Sequence, residues 1–200
     1  MKNSAKPGHS HGSNMTFIHP QLELHQRDQD LVSIYRTGID DSCLQGFVLA
    51  VSSDLVLIQY VYDFRLEGLM ALRTSDITQV ELTATDILQK ALIFEEDLGG
   101  QIPFAVQFDM RSWRTLIEQL SLSHALMILE CEAGEINEFL IGRVVQTEVD
   151  SLQIERFTGA GDWADTPTEV SYGDITCCQV GTNYANVYQR HFDRVAGTLS

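Results

Sequence analysis

Two runs of neighbouring carboxylates, Asp40-Asp41 and Glu95-Glu96-Asp97, are the first residues whose type and spacing could do chemistry. Paired acids work as general acid and base when their surroundings hold their pKa values apart and a substrate fits between them. Set beside turn-forming residues, these runs read as solvated loop charge. His19, His25, His124 and His191 are scattered without metal-ligand spacing and read as structural or exposed. Cys43, Cys131, Cys177 and Cys178 form no C-x-x-C pair. Vicinal Cys177 and Cys178 point to opposite faces if they lie in a strand, which makes one of them a core residue. No G-x-S-x-G turn presents a serine nucleophile, and Gly99-Gly100 reads as a turn rather than a phosphate loop. The expectation is no catalytic residue, no metal site and no cofactor. The rival is an enzyme with an unrecognised carboxylate site.

Charge narrows the choice of partner. The chain of 200 residues carries 28 acidic against 13 basic residues, a formal net charge of -15. Lys2 and Lys6 lie at the start, which leaves Lys90 as the one lysine of the body. A protein that grips phosphate presents clustered Lys or Arg, because counterion release supplies most of the sequence-independent affinity. No such cluster occurs, so nucleic acid is not the expected partner. The same deficit argues against a polybasic anchor on an anionic membrane. A field of this sign steers a basic protein instead. No apolar run approaches the roughly 18 to 20 residues that span a bilayer, and no signal-peptide hydrophobic region opens the chain. The reading is a soluble, cytoplasmic, non-catalytic interaction or scaffold module for a protein partner, with a homo-oligomer left open.

The most distinctive local segment is FTGAGDWADTPTE, Phe157 to Glu169, a polar hairpin connection with Trp163 near its middle. Tryptophan on a projecting loop can bury a large surface in a partner pocket, so Trp163, with Asp162 and Asp165 beside it, is the candidate partner-binding site. Packing of Trp163 back over the end of a sheet is the competing reading. Strand alternation puts Tyr60, Tyr62 and Phe64 on one face, where core packing is the expected role.

These residues must be carried by short strands. From Leu31 the runs LVSIYRTG, LQGFVLAVSSD, LVLIQYVYDF, EGLMALRTSD and ITQVELT are rich in Val, Ile, Leu and Tyr and punctuated by Gly, Ser and Asp. From Ala125 five further runs follow in the same order. At an offset of 96 residues Leu44, Gly46, Val48, Asp54 and Ile58 fall on Leu140, Gly142, Val144, Asp150 and Ile154. At 98, Asp76-Ile77-Thr78 falls on Asp174-Ile175-Thr176 and Phe94 on Phe192. An ordered series of matches across one insertion is the signature of internal duplication. The stretches Leu22 to Leu98 and Asp109 to Arg194 each hold 14 acidic residues. MRSWRTLIEQLSLSH, from Met110, places Trp113, Leu116, Ile117 and Leu120 on one helical face, with Asp109 as a cap. The segment from Pro20 reads as the matching helix of the first copy. The division is therefore a disordered leader or tag remnant over 1–14, bearing His9 and His11, a first unit over 15–98, a linker over 99–108 and a second unit over 109–200.

A helix followed by five strands, with a glycine in the second, resembles the Sm-like fold. LQGFVLAVSSDLVLI followed by ALRTSDITQV is similar to its bacterial host-factor branch, whose small SH3-like barrels form RNA-binding rings. The fold class this implies is mainly β with a few helices, as two tandem five-stranded barrels. Glycine suits Gly46 and Gly142 because a side chain would crowd a strongly bent strand. The resemblance places Ser52-Ser53-Asp54 and Glu148-Val149-Asp150 where the family carries its Asp-Gln-aromatic RNA contact. It places Arg73-Thr74-Ser75 and Ser171-Tyr172-Gly173 where the family has aromatic-Lys-His. Neither copy has the first aromatic, and neither has the Lys or the His. An Sm-like RNA-binding protein is therefore the alternative function, and it would depend on Arg65, Arg73, Arg143 and Arg156.

Overall fold

Alternating apolar residues do fold as strands, and a computed structural model describes residues 12–132 and 137–198. Helix α1 (Gly12–Asp28) precedes β1 (Leu31–Tyr35), β2 (Leu44–Val51), β3 (Leu55–Tyr62), β4 (Arg65–Arg73) and β5 (Gln79–Glu81). Helix α2 (Ala84–Glu95) follows them. Helix α3 (Trp113–Ser121) then leads into β6 (Met127–Cys131), β7 (Glu138–Thr147), β8 (Ser151–Arg156), β9 (Thr168–Ser171), β10 (Cys177–Val180) and helix α4 (Asn183–Thr198). The helix expected from Pro20 begins earlier, at Gly12, and takes in residues 12–14 of the expected leader. The rest of that leader lies outside the described residues.

In place of two closed barrels, the ten strands make one open antiparallel sheet in the order β5-β1-β2-β3-β4-β10-β6-β7-β8-β9. Alternation in sequence fixes which face a side chain takes, but not which strand edges meet. Here β4 pairs β10 from Leu72 opposite Cys177 to Leu69 opposite Val180, and this seam joins the two sets of five. Each set has the same internal order, with its fifth strand beside its first. Gly46 lies opposite Tyr60 and Gly142 opposite Arg156, and the β2–β3 and β7–β8 registers slip after Val48 and after Val144. A Cβ on Gly46 would lie 2.8 Å from the Gln59 carbonyl oxygen, and one on Gly142 would strike the Glu155 carbonyl. Thr78 Oγ1 donates to the Tyr35 carbonyl at 3.1 Å, as Thr176 Oγ1 does to Glu130 at 2.9 Å.

One face of the sheet packs on α3, whose Trp113, Leu116, Ile117 and Leu120 are buried among Phe47 and Leu57 of the first set and Leu129 and Leu152 of the second. Ile102 and Met110 from the connecting segment complete this core. The cap of α3 is Ser112 rather than Asp109: Ser112 Oγ accepts from Thr115 N. Asp109 is turned to Arg111 instead. On the opposite face α1 sets Ile18 and Leu22 against Val48 and Ile58, while α4 covers Ile128, Ile141 and Phe157 with Ala185, Tyr188 and Phe192. The sheet curls enough for Arg36, just after β1, to reach Glu132, just after β6, at 2.9 Å. Among the described residues, no helix is long and apolar enough to cross a membrane.

Candidate functional site

Where α1 and α4 leave the sheet uncovered, a groove opens over the seam. Alternation along β3 keeps Tyr60 and Tyr62 on the face of Val56 and Ile58, and β3 runs on toward its hairpin with β4. From the other side α4 brings Tyr184, Val187 and Tyr188. Its first turn is fixed by Thr182, whose hydroxyl accepts from Ala185 N at 3.1 Å, and by Glu67 of β4, whose carboxylate accepts from Asn183 N at 3.2 Å. A carboxylate at a helix N-terminus meets unpaired amides and the positive end of the dipole. Glu67 thereby docks a helix of the second half onto a strand of the first.

The result is a hollow of about 500 Å³ lined by Tyr60, Tyr62, Glu67, Tyr184, Val187 and Tyr188. A second hollow of about 280 Å³ shares Tyr60, Glu67 and Tyr184 and continues over Ile128, Phe139 and Gln179. Tyr62 is 65% exposed, Phe139 56% and Tyr184 49%. The Tyr184 and Tyr188 rings meet edge to face at 5.1 Å. The expectation that Tyr60, Tyr62 and Phe64 are core thus holds only for the half-buried Tyr60. Tyr62 and Phe64 lie exposed at the β3–β4 hairpin.

Among the described residues, Glu67 is the one formally charged side chain that lines the groove. Burial, with Tyr62 and Glu67 nearby, raises the Tyr60 hydroxyl pKa above its ordinary value. Glu130 lies on β6 directly across from Phe139 and Cys177, and Gln179 donates to its carboxylate. Burial and the neighbouring Glu132 hold the Glu130 carboxyl above the usual range. Among the described residues, no Lys or Arg lines either hollow.

A second concavity, about 620 Å³, lies at the other end of the strands. It gathers Ser53-Asp54 and Val149-Asp150 from equivalent turns of the two sets, together with Arg73, Tyr172, and Arg111 and Arg114 at the start of α3. Its cations are already engaged: Arg73 donates to the Gly173 carbonyl, Arg111 to Asp109 at 2.8 Å and Arg114 to Glu118 at 2.8 Å. The hydrogen bond from Arg111 holds Asp109 down at about 2. The Tyr172 hydroxyl is buried without a hydrogen-bond partner among the described residues.

Trp163 is half-buried, packed on Phe157 at 5.3 Å and Phe192 at 4.8 Å, with the Arg143 guanidinium 4.8 Å above it. It folds back on the sheet rather than projecting, while Asp162 and Asp165 remain exposed. Arg65 stands at the β3–β4 tip, Arg143 in mid-β7 beside Glu155, and Arg156 at the end of β8. Of those four arginines only Arg73 reaches the second concavity. Cys177 and Cys178 are both buried, not one alone, because β10 is central and covered on both faces. Burial keeps the Cys178 thiol up at about 12 and Cys131 at about 11, far from reactive thiolates. Asp40 is committed to Arg36, and Glu95, Glu96 and Asp97 are exposed. No group of three or more His, Cys, Asp or Glu suited to a metal occurs among the described residues.

The groove went unseen in sequence because α4 was not anticipated. Thr182 followed by the aromatic spacing of Tyr184, Tyr188 and Phe192 was the available signal. No protein-family model, curated protein or solved structure matches the chain.

Proposed function

We propose that this protein is a non-catalytic interaction module that holds a basic protein segment in the tyrosine-lined groove over the seam. The observation that carries the reading is a cluster of exposed aromatic side chains around Glu67 in a chain of net charge -15. Tyrosine is favoured at protein interfaces because it buries a large rigid surface while its hydroxyl stays satisfied at the wet rim. Acidic surroundings raise the encounter rate with a basic partner. Four cysteines without a disulfide suit a reducing compartment such as the cytoplasm. The repeated strand order, with register slips after Val48 and Val144, supports a tandem duplication of an Sm-like unit. The test is a bead pull-down with mass spectrometry. Partners held by the wild type are expected to be basic and to be lost from the Tyr62→Ala, Tyr184→Ala double variant. Unchanged capture by that variant refutes the groove, and loss with Trp163→Ala instead moves the site to the 157–169 segment.

A second reading, RNA binding, is favoured by one observation: the 620 Å³ concavity brings together the turn segments and Arg73 that the Sm-like resemblance marks. The existing hydrogen bonds and ion pairs of its arginines and the overall charge weigh against it. Single-stranded RNA at near-physiological salt is expected to bind at millimolar strength or not at all. Sub-micromolar binding that falls when Arg65, Arg73, Arg143 and Arg156 are replaced would put this reading first.

A further inference from the structure

We infer that the larger hollow of the groove is a clamp for a single arginine side chain of the partner, a ligand class that deepens the proposed function and rests on it. Three features converge. Tyr60, Tyr62, Tyr184 and Tyr188 surround the hollow, and the face of an aromatic ring attracts a cation most strongly where water is partly excluded. Glu67 lines the same hollow and spends one carboxylate oxygen on the Asn183 amide, with no bond to its other oxygen among the described residues. Among the described residues no Lys or Arg lines the hollow, and Arg36, buried at the end of β1, is locked to Asp40 at 2.7 and 2.8 Å and to Glu132 at 2.9 Å.

Arginine fits this arrangement better than lysine. A guanidinium is planar, weakly hydrated and stacks on aromatic faces while its edge donates to a carboxylate. An ammonium is a compact, strongly hydrated charge that would have to shed water in a hollow whose walls are rings. The second hollow, floored by Ile128 and Gln179 and edged by Phe139, receives the neighbouring apolar residue of the same segment. Recognition is therefore of arginine next to an apolar side chain.

Fluorescence anisotropy with a labelled arginine-leucine repeat peptide, and the same peptide with citrulline for arginine, tests this on the full chain. Arginine is expected to bind at least tenfold more tightly than citrulline, which keeps the shape and loses the charge. Glu67→Gln and Tyr184→Ala are each expected to weaken binding about tenfold, while Tyr184→Phe keeps the ring and binds within about twofold of wild type. Circular dichroism melting confirms that each variant is folded. Equal binding of the two peptides, or wild-type binding by Glu67→Gln and Tyr184→Ala, overturns the clamp. Self-association of the protein that Tyr62→Ala abolishes would assign the groove to a second copy and overturn it too. If the pull-down still captures a groove-dependent basic partner while the arginine peptide fails, the clamp is wrong and the module stands. If both fail, both are wrong.

Discussion

Around the end of β1, Arg36 is withdrawn from water and matched on both sides, by Asp40 within its own half and by Glu132 from the other. Glu130, two residues before Glu132, makes no direct ion pair among the described residues and feels Arg36 only at a distance. Because its carboxyl is held above the ordinary value by burial and by Glu132, the folded chain binds a proton there more readily than the unfolded chain does. Its contribution is favourable at low pH and is lost as pH rises from the unfolded value through the folded one. Glu130→Gln keeps an acceptor for Gln179 and removes the charge. The variant is expected to have a higher urea midpoint than wild type near neutral pH and to match it at about pH 4, where carboxyl groups begin to protonate. A lower midpoint near neutral pH would show that the ionised carboxylate is stabilising.

At the level of elements, the β3–β4 hairpin turns on Asp63 and Phe64, both at positive φ, 48° and 62°. Such a turn is usually built from Asn-Gly, since a side chain in left-handed backbone costs roughly 1–2 kcal/mol per residue. Asp63→Asn with Phe64→Gly is expected to raise stability by about 1 kcal/mol, read as an increase in melting temperature. A decrease would mean that Phe64 contributes more by contact than its backbone strain costs. The strands and their faces were legible in the sequence because alternation with Val, Ile and Leu leaves little choice. The stripe Trp113, Leu116, Ile117 and Leu120 was legible for the same reason. Helix α2 was missed although Thr83 and Asp86 form a capping box, because it follows β5 with almost no connection. Asp86 looks like one more surface acid, yet it accepts from Thr83 N at 2.7 Å, Ser33 Oγ at 2.9 Å and Gln45 Nε2 at 2.7 Å and so pins α2 to the sheet. The groove was illegible because it needs β3, β4, β10 and α4 together, and edge pairing leaves no mark in alternation.

Across the whole molecule, the apolar face around α3 is continuous between the two sets of strands, with Leu116 and Ile117 fully buried at its middle. Neither half can close that core alone. Thermal unfolding is therefore expected as one cooperative transition with equal calorimetric and van't Hoff enthalpies, and residues 12–98 expressed alone should not fold. Two separated transitions would show that each half has its own core. The β4–β10 seam has a further consequence for the groove, whose Glu67, Gln179 and Tyr184 come from opposite sides of it. A site shared by separate subunits empties when they dissociate on dilution, whereas the chain connecting these halves keeps each at high effective concentration for the other. The groove is thus formed within a single chain, and a dilute solution of this protein would still hold as many intact grooves as chains.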